Sequence, residues 1–486
     1  MAIDYDLRII QEARDTARKA KEAQEVLATF SEEQINKILA YMSEAVVENA
    51  RWLAKMAVDE TKYGIVEHKV IKNLFAGKDV YEYIKELKTT GVIKEDTVNK
   101  VVEIAVPVGV ILGIIPTTNP TSTLIHNALC AIKAGNAIVF SPHPAAIKCS
   151  CATAQIINEA AVKAGAPDGV VSCLSKVSMQ AVNELMHHEA ISVIVATGGS
   201  AMVKAAYSAG KPALGVGPGN VPAFIERSAN IKQAVKDIIT SKTFDNGMIC
   251  ASEQAIVVDE PIKDQVIKEL KNQGAHFLNR EETEKVSRLI MTPKGGMNPA
   301  FVGKSPDFIA NKAGVQIPAK TKILVAPLDG YGPEYPLSHE KLTTVLGFYV
   351  VKDWHEGCLL SIELLKLGGI GHSFAIHSQN EEIIREFIVK PVFRILVNTP
   401  SALGGVGFST GLAPSMTLGC GTWGGSSLSD NLTPLHLINT KKLAYGTVNV
   451  DFENNTESTS SDMYSPDQVA EVVKQVIARL QEGKHA

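Results

Sequence analysis

Cys250 is the residue whose type and setting promise the most chemistry. It lies in TFDNGMICASEQ, residues 243–254, between a helical pattern and the apolar strand pattern AIVVD. Asn246 and Gly247 break the apolar run just before it, so the chain can turn there and present a thiol. A cysteine at such a junction is either a small buried hydrophobe or a nucleophile, and the pattern leaves both open. Other candidates sit in turns. ATGGSAMVKAA, 196–206, sets Gly198, Gly199 and Ser200 between a strand and a helix start, where free N–H groups and the helix dipole suit a pyrophosphate. The full G-x-G-x-x-G fingerprint is missing there. GVGPGN, 215–220, carries Gly215, Gly217 and Gly219 but joins two strand patterns, which also reads as a turn set by backbone geometry.

TTNPTS, 117–122, follows the strand GVILGIIP and precedes the helix TSTLIHNALCAIKAG. Asn119 can donate its amide to a developing oxyanion, while Thr121 or Ser122 can cap the helix; spacing alone favours the cap. Glu340 in HEKLTTVLG and His372 in GGIGHSFAIHS stand beside glycines, and isolated ionisable residues of this kind are more often structural than catalytic. RILVNTPSALGGVG (394–407) and LAPSMTLGCGTWGG (412–425) are small-residue loops that suit close approach to a ligand or a subunit.

The elements that must position these residues are α/β in texture. Residues 6–90 show apolar spacing of three and four with few breakers before Gly64. From about residue 100, short β-branched runs alternate with Ala-rich helices, which implies a parallel sheet covered on both faces. A second such series starts near Val221 and runs to about residue 415. The tail differs. NNTESTSSDMYSPD, 454–467, is a polar stretch that predicts a flexible linker. Beyond it Val469, Val472, Val473, Val476, Ile477 and Leu480 form one apolar stripe, started by Ser465-Pro466-Asp467. That stripe either packs on the chain's own assembly or acts as a detachable docking helix.

Composition narrows the function. A chain of 486 residues, 45% hydrophobic and 21% charged, fits a globular enzyme of two or three domains. A net charge of −4 without a large basic block argues against nucleic acid as partner. The longest apolar run, 101–116, carries Glu103, two prolines and two glycines, so it reads as strands and not as a membrane span. The start MAIDYDLRII lacks a secretory pattern. Seven scattered cysteines predict a reducing compartment without a disulfide framework. Cys149 and Cys151 form a C-x-C pair with no histidine ligands nearby, so no metal site is expected.

Collectively, TTNPTS, SPHP, ATGGSAMVKAA, GKPALGVGPGN, KTFDNGMICASEQ, HEKL, GGIGH, RILVNTP and LAPSMTLGCGTWGG resemble, in order, the CoA-acylating aldehyde dehydrogenases, from about residue 20 to about 445. The resemblance implies an aldehyde dehydrogenase fold: a Rossmann-like nucleotide domain, an α/β catalytic domain and a β oligomerisation arm. It places an NAD- and CoA-binding domain at 1–222 (with 94–109 in the arm), a catalytic domain at 223–420, an oligomerisation segment at 421–450, and a linker with an encapsulation helix at 454–486. It makes Cys250 the nucleophile and Asn119 the oxyanion amide, acting with the Cys250 N–H. It puts Thr117, Thr118 and Asn119 at the cofactor, Ser141, Pro142 and His143 at the adenosine ribose, and Gly198, Gly199 and Ser200 at the pyrophosphate. Gly215 and Gly217 flank the cofactor, Glu340 holds the nicotinamide ribose, and His372 lies near the reaction. Hydrolytic relatives carry a water-activating glutamate where this chain has Gly215, so CoA is expected to intercept the acyl group; release of free acid is the alternative. Activation of the thiol is expected from a helix N-terminus or from the bound nicotinamide. NAD versus NADP is not set by any acidic residue after SPHP. The resemblance also implies a short-chain aldehyde such as acetaldehyde or propionaldehyde, a homodimer or homotetramer, and residence in the lumen of a bacterial microcompartment, with shell or cargo proteins docking on the C-terminal helix.

Overall fold

Residues 4–293, 295–450 and 465–482 are described by the computed structural model. The N-terminal periodicity becomes the helices Tyr5–Leu27, Glu32–Thr61 and Val66–Leu74. Ser31 opens the second with a reciprocal capping box, its hydroxyl accepting from the Gln34 N–H and the Gln34 side chain accepting from the Ser31 N–H. Lys62 ends that helix in the left-handed region, and Gly64 follows at φ 76°. Only glycine fits there, because a Cβ would lie 2.1 Å from Asp245 Oδ1.

The strands are β1 Gly91–Asp96, β2 Val101–Pro107, β3 Val110–Ile114, β4 Ala137–Ser141, β5 Val171–Cys173, β6 Ile191–Thr197 and β7 Ala213–Val216. They continue with β8 Val221–Ile225, β9 Glu253–Asp259, β10 Ala275–Phe277, β11 Ile323–Pro327, β12 Val345–Val351, β13 Gly371–His377, β14 Val392–Val397 and β15 Ile438–Ala444. Strands β3 to β7 form a parallel sheet in the order β5-β4-β3-β6-β7. The helices Pro120–Lys133, Ile147–Lys163 and Met179–His187 link its strands. Alternate residues of β3 serve opposite cores: Ile111 packs with Leu124 and Ile125, while Val110, Leu112 and Ile114 pack with Val182 and Leu185. Both faces are covered, as continuous apolar runs require. The chain moves outward from β3 to β5 and returns at β6, which opens a crevice at the carboxyl ends of β3 and β6.

A second parallel sheet has the order β10-β11-β12-β9-β8-β13-β14. Both sheets belong to one compact unit, residues 1–93 and 105–441. A second unit, 94–104 and 442–486, contains parts of β1, β2 and β15, which form a three-stranded sheet, and the helix Pro466–Glu482. Of the segment 421–450 expected as an oligomerisation element, only Ile438–Ala444 extends as a strand. Within the 421–450 segment Leu428, Leu432 and Leu437 are buried in the core that packs on Pro120–Lys133, while Trp423 and Leu435 are exposed. Most of the polar stretch 454–467 lies outside the described residues, as do the side chains of Val476, Ile477 and Leu480. Among the described residues no helix is long and apolar enough to cross a membrane.

Candidate active site

A cleft of about 560 Å³ runs between the carboxyl ends of β3–β7 and the segments that enter β9 and β12. Thr117, Thr118, Asn119, Ser141, Pro142, His143, Gly198, Gly199, Gly217, Cys250 and Glu340 all line it. Gly215 does not, and His372 does not. The sequence therefore brings most of its candidates to one surface from segments more than two hundred residues apart.

Cys250 is placed by strained backbone. Helix Ile231–Thr243 ends at Phe244, and Asp245, Asn246 and Gly247 then take positive φ values of 51°, 53° and 77°. Asn and Asp tolerate that region and Gly is free in it, so this NG turn swings the chain back towards β9. No helix begins at Cys250 itself; the helix start beside it is that of Pro120–Lys133, at Asn119. Burial pushes the thiol up to about 12, Glu340 and Cys420 push it the same way, and Arg394 and the residue's own N–H oppose them. In the free site Cys250 is thus a neutral thiol at pH 7.

Asn119 stands at the entrance of helix Pro120–Lys133. Its Nδ2 donates to Met248 O at 3.2 Å and makes a longer contact of 3.4 Å to Thr118 Oγ1. The expected caps fail: Pro120 takes the first helical position, no side chain caps this end, and Thr121 Oγ1 donates to Asn73 Oδ1 at 2.7 Å. Behind Asn119 lies a cluster the sequence did not reveal. Lys72 Nζ donates to Asn119 Oδ1 at 2.7 Å, to Asp245 Oδ2 at 2.6 Å and to Met248 O at 3.0 Å. Lys69 Nζ donates to the same Asp245 Oδ2 at 2.9 Å and to Thr118 O at 2.9 Å. Burial lowers Lys72 to about 8, opposed by Asp245. On the helix Val66–Leu74 these lysines read as a solvated face, and only contact with a turn some 170 residues away buries them.

Glu340 Oε1 accepts from the Gly219 N–H at 3.0 Å, and burial raises its carboxyl to about 7. His372 sits one layer behind. A Cβ on Gly219 would lie 2.0 Å from Cys250 O and 3.3 Å from His372 Cγ, so Gly219 keeps the two segments in close contact. Nδ1 of His372 is 3.0 Å from Ser373 Oγ, Nε2 has no partner among the described residues, and burial holds the ring well below its ordinary pKa. It is a neutral buried residue behind the lining in this arrangement.

At Gly198 and Gly199 a Cβ would meet nothing within 4 Å, so the backbone there is bare towards the cleft at the start of helix Ser200–Tyr207. Such a bare helix start fits a dinucleotide pyrophosphate. No acidic residue lines the Ser141–His143 end. Gly215 faces elsewhere: its N–H donates to Tyr207 Oη at 2.8 Å and its carbonyl accepts from Ser426 Oγ at 2.5 Å. A Cβ at 215 would lie 2.6 Å from Val203 Cγ1 and 2.7 Å from Tyr207 Cε2. A side chain at this position would require Val203 and Tyr207 to shift.

Comparison with known proteins agrees with this geometry. The aldehyde dehydrogenase family profile matches residues 9–285. An acetylating aldehyde dehydrogenase structure from Geobacillus thermoglucosidasius is 52% identical and covers 93% of this chain and 100% of its own, with a TM-score of 0.91. A propionaldehyde dehydrogenase from the fucose utilisation bacterial microcompartment of Clostridium phytofermentans is 29% identical, covers 89% of this chain and 97% of its own, and has a TM-score of 0.81. The bifunctional aldehyde-alcohol dehydrogenase of Escherichia coli is 43% identical over 441 residues, 90% of this chain but 49% of that protein. The chain spans about half the length of the aldehyde-alcohol dehydrogenases it matches.

Proposed function

The chain belongs to the aldehyde dehydrogenase family, and from that premise we propose that it is a CoA-acylating enzyme that oxidises a short-chain aldehyde to its CoA thioester. The observation that carries this reading is the cleft, in which Cys250, Asn119 and Glu340 converge while position 215 is walled by Val203 and Tyr207. On this reading residues 1–222 bind the nucleotide and CoA, residues 223–420 carry the chemistry, and 94–109 with 421–450 form an arm joining the subunits of a dimer or tetramer.

Cys250 attacks the aldehyde carbonyl as a thiolate, its proton leaving to solvent, a loss that the positive charge of a bound nicotinamide would favour against the burial that otherwise keeps the thiol neutral. The Asn119 Nδ2–H and the Cys250 N–H stabilise the thiohemiacetal oxyanion, each such donor contributing about 2.7–4 kcal/mol. Gly198 and Gly199 with the helix behind them would hold the pyrophosphate, Ser141–His143 the adenosine ribose, and Glu340 the nicotinamide ribose. When bound, NAD accepts a hydride and CoA brings a second thiol. Loss of hydride from the thiohemiacetal leaves an acyl thioester on Cys250. Because position 215 carries no carboxylate, water lacks a base there, and general-base help is typically 100- to 10,000-fold, roughly the advantage left to the thiol. Measuring NADH, acyl-CoA and free acid from acetaldehyde and propionaldehyde, with and without CoA, tests this. CoA-dependent acyl-CoA formation supports it, and CoA-independent acid formation at the same rate refutes it.

The C-terminal helix Pro466–Glu482 supports a finer reading, packaging into a bacterial microcompartment through residues 466–486. Val469, Val472 and Val473 lie on one face and are each about half exposed, an apolar stripe on an amphipathic helix, a type of helix that draws most of its stability from packing that face. A fluorescent reporter fused to this segment should concentrate in assembled compartments; a diffuse signal contradicts the reading.

A further inference from the structure

We propose that Lys72 is a positioning residue for this reaction: it fixes the Asn119 carboxamide so that an N–H, and not the carbonyl oxygen, faces the oxyanion at Cys250. The proposal rests on the acylating reading above. A carboxamide has two nearly isosteric orientations, and its neighbours choose between them. An ammonium has three hydrogens and no acceptor. The three N–H groups of Lys72 match three acceptors: Asp245 Oδ2, Asn119 Oδ1 and Met248 O. Turning the Asn119 amide over would set its NH2 against the ammonium and its oxygen against Met248 O, so two hydrogen bonds would become repulsions.

Lys72 is itself held. Its side chain is 3% exposed, its carboxylate partner is fully buried, and the Phe244 ring lies 5.6 Å from Nζ. Asp245 is anchored by the Ile65 N–H on Oδ1 at 2.8 Å, and its own N–H donates to His68 Nδ1 at 2.8 Å. One carboxylate serves two buried lysines, Lys69 and Lys72, so the cluster keeps a surplus positive charge behind Asn119. Negative charge developing on the oxyanion therefore meets both an oriented N–H and a nearby cation. The long contact from Asn119 Nδ2 to Thr118 Oγ1 is the one that such an oxyanion displaces.

A purely structural role, tethering helix Val66–Leu74 to the 245–248 turn, predicts something else: loss of folded protein or of ligand binding without coupling to Asn119. The test is steady-state kinetics of wild type, Lys72→Met, Lys72→Arg, Asn119→Ala and the Met/Ala double variant, with melting curves for each. Lys72→Met should lower kcat about 10- to 100-fold, the range seen when a partner that orients a catalytic group is lost. KM for NAD should stay within about threefold, the mark of an interaction made in the transition state. Adding Lys72→Met to Asn119→Ala should slow the enzyme by no more than about threefold further, because the two act as one unit. Lys72→Arg, which also only donates, should recover a substantial part of kcat. If the two single effects multiply, or if folded Lys72→Met keeps wild-type kcat, the proposal is wrong although the functional reading stands. If Lys72→Met does not fold, Lys72→Arg decides: folded and as slow as Asn119→Ala overturns the proposal. Absence of CoA-dependent NADH from the wild type overturns both.

Discussion

Along the wall built from the carboxyl ends of β3–β7, the cleft is lined by Ser141, Pro142, Gly198, Gly199 and Val216, none of them charged. The opposite wall sets Cys250 and Glu340 within the fields of Lys72, Lys242 and Arg394, all buried, with Glu340 and Lys242 both shifted to about 7. The first wall recognises by shape and backbone N–H groups, which need no desolvated charge. The second accepts the desolvation of several ionised groups, and in return each acts strongly on charge that develops beside it. Recognition and chemistry thus fall mostly on opposite walls of one cleft, with Asn119, which follows β3 but bonds Met248 O, counted with the chemical wall, and substitutions on the two should fail in different ways.

The largest expected effect is on the chemical wall. Cys250→Ala should remove CoA-dependent NADH formation by about 10,000-fold or more, as loss of a nucleophile does, while NAD and CoA still bind by calorimetry. Asn119→Ala should lower kcat about 100- to 1,000-fold with little change in KM, since the donor is used only when the oxyanion forms. On the recognition wall Gly199→Ala should do the reverse. Gly199 has φ −64° and nothing near its missing Cβ, so the variant should fold normally, keep kcat, and raise KM for NAD by roughly three- to tenfold through lost uniform binding. A kcat loss in that variant, or a KM loss in Asn119→Ala, would break the division between the walls.

The smallest effect sharpens it. Glu340 is neutral below about pH 7 and ionised above, and its negative charge pushes the Cys250 thiol up. Glu340→Gln should therefore leave alkylation of Cys250 by iodoacetamide unchanged well below pH 7 and speed it severalfold above pH 8, where a removed like charge favours thiolate. Equal rates for both proteins at pH 9 would show that Glu340 does not act on the thiol.

The two walls also differed in how much of them the sequence disclosed. Local signals announced the recognition wall: a strand, two glycines and a helix start at 196–206 read directly as a bare backbone site. Cys250 was legible as a turn residue because Asn246-Gly247 must adopt positive φ, but its role needed the family resemblance. Lys69 and Lys72 were not legible. Two lysines three apart on a short amphipathic helix look solvated until Asp245 folds against them, and no local pattern announces that contact. His372 was expected near the reaction; it is buried off the cleft lining against Gly219, which also meets the Cys250 carbonyl, a packing that sequence order cannot show. Thr121 and Ser122 looked like helix caps because spacing ignored the claim of Asn73 on the Thr121 hydroxyl.

Mass spectrometry of enzyme incubated with propionaldehyde and NAD in the absence of CoA, followed by a chase with CoA, tests the central claim most directly. A propionyl group on the peptide containing Cys250, discharged as propionyl-CoA faster than as propionate, is the predicted result. Acyl label on any other side chain, or loss of the label as free acid at a rate indifferent to CoA, would contradict the account.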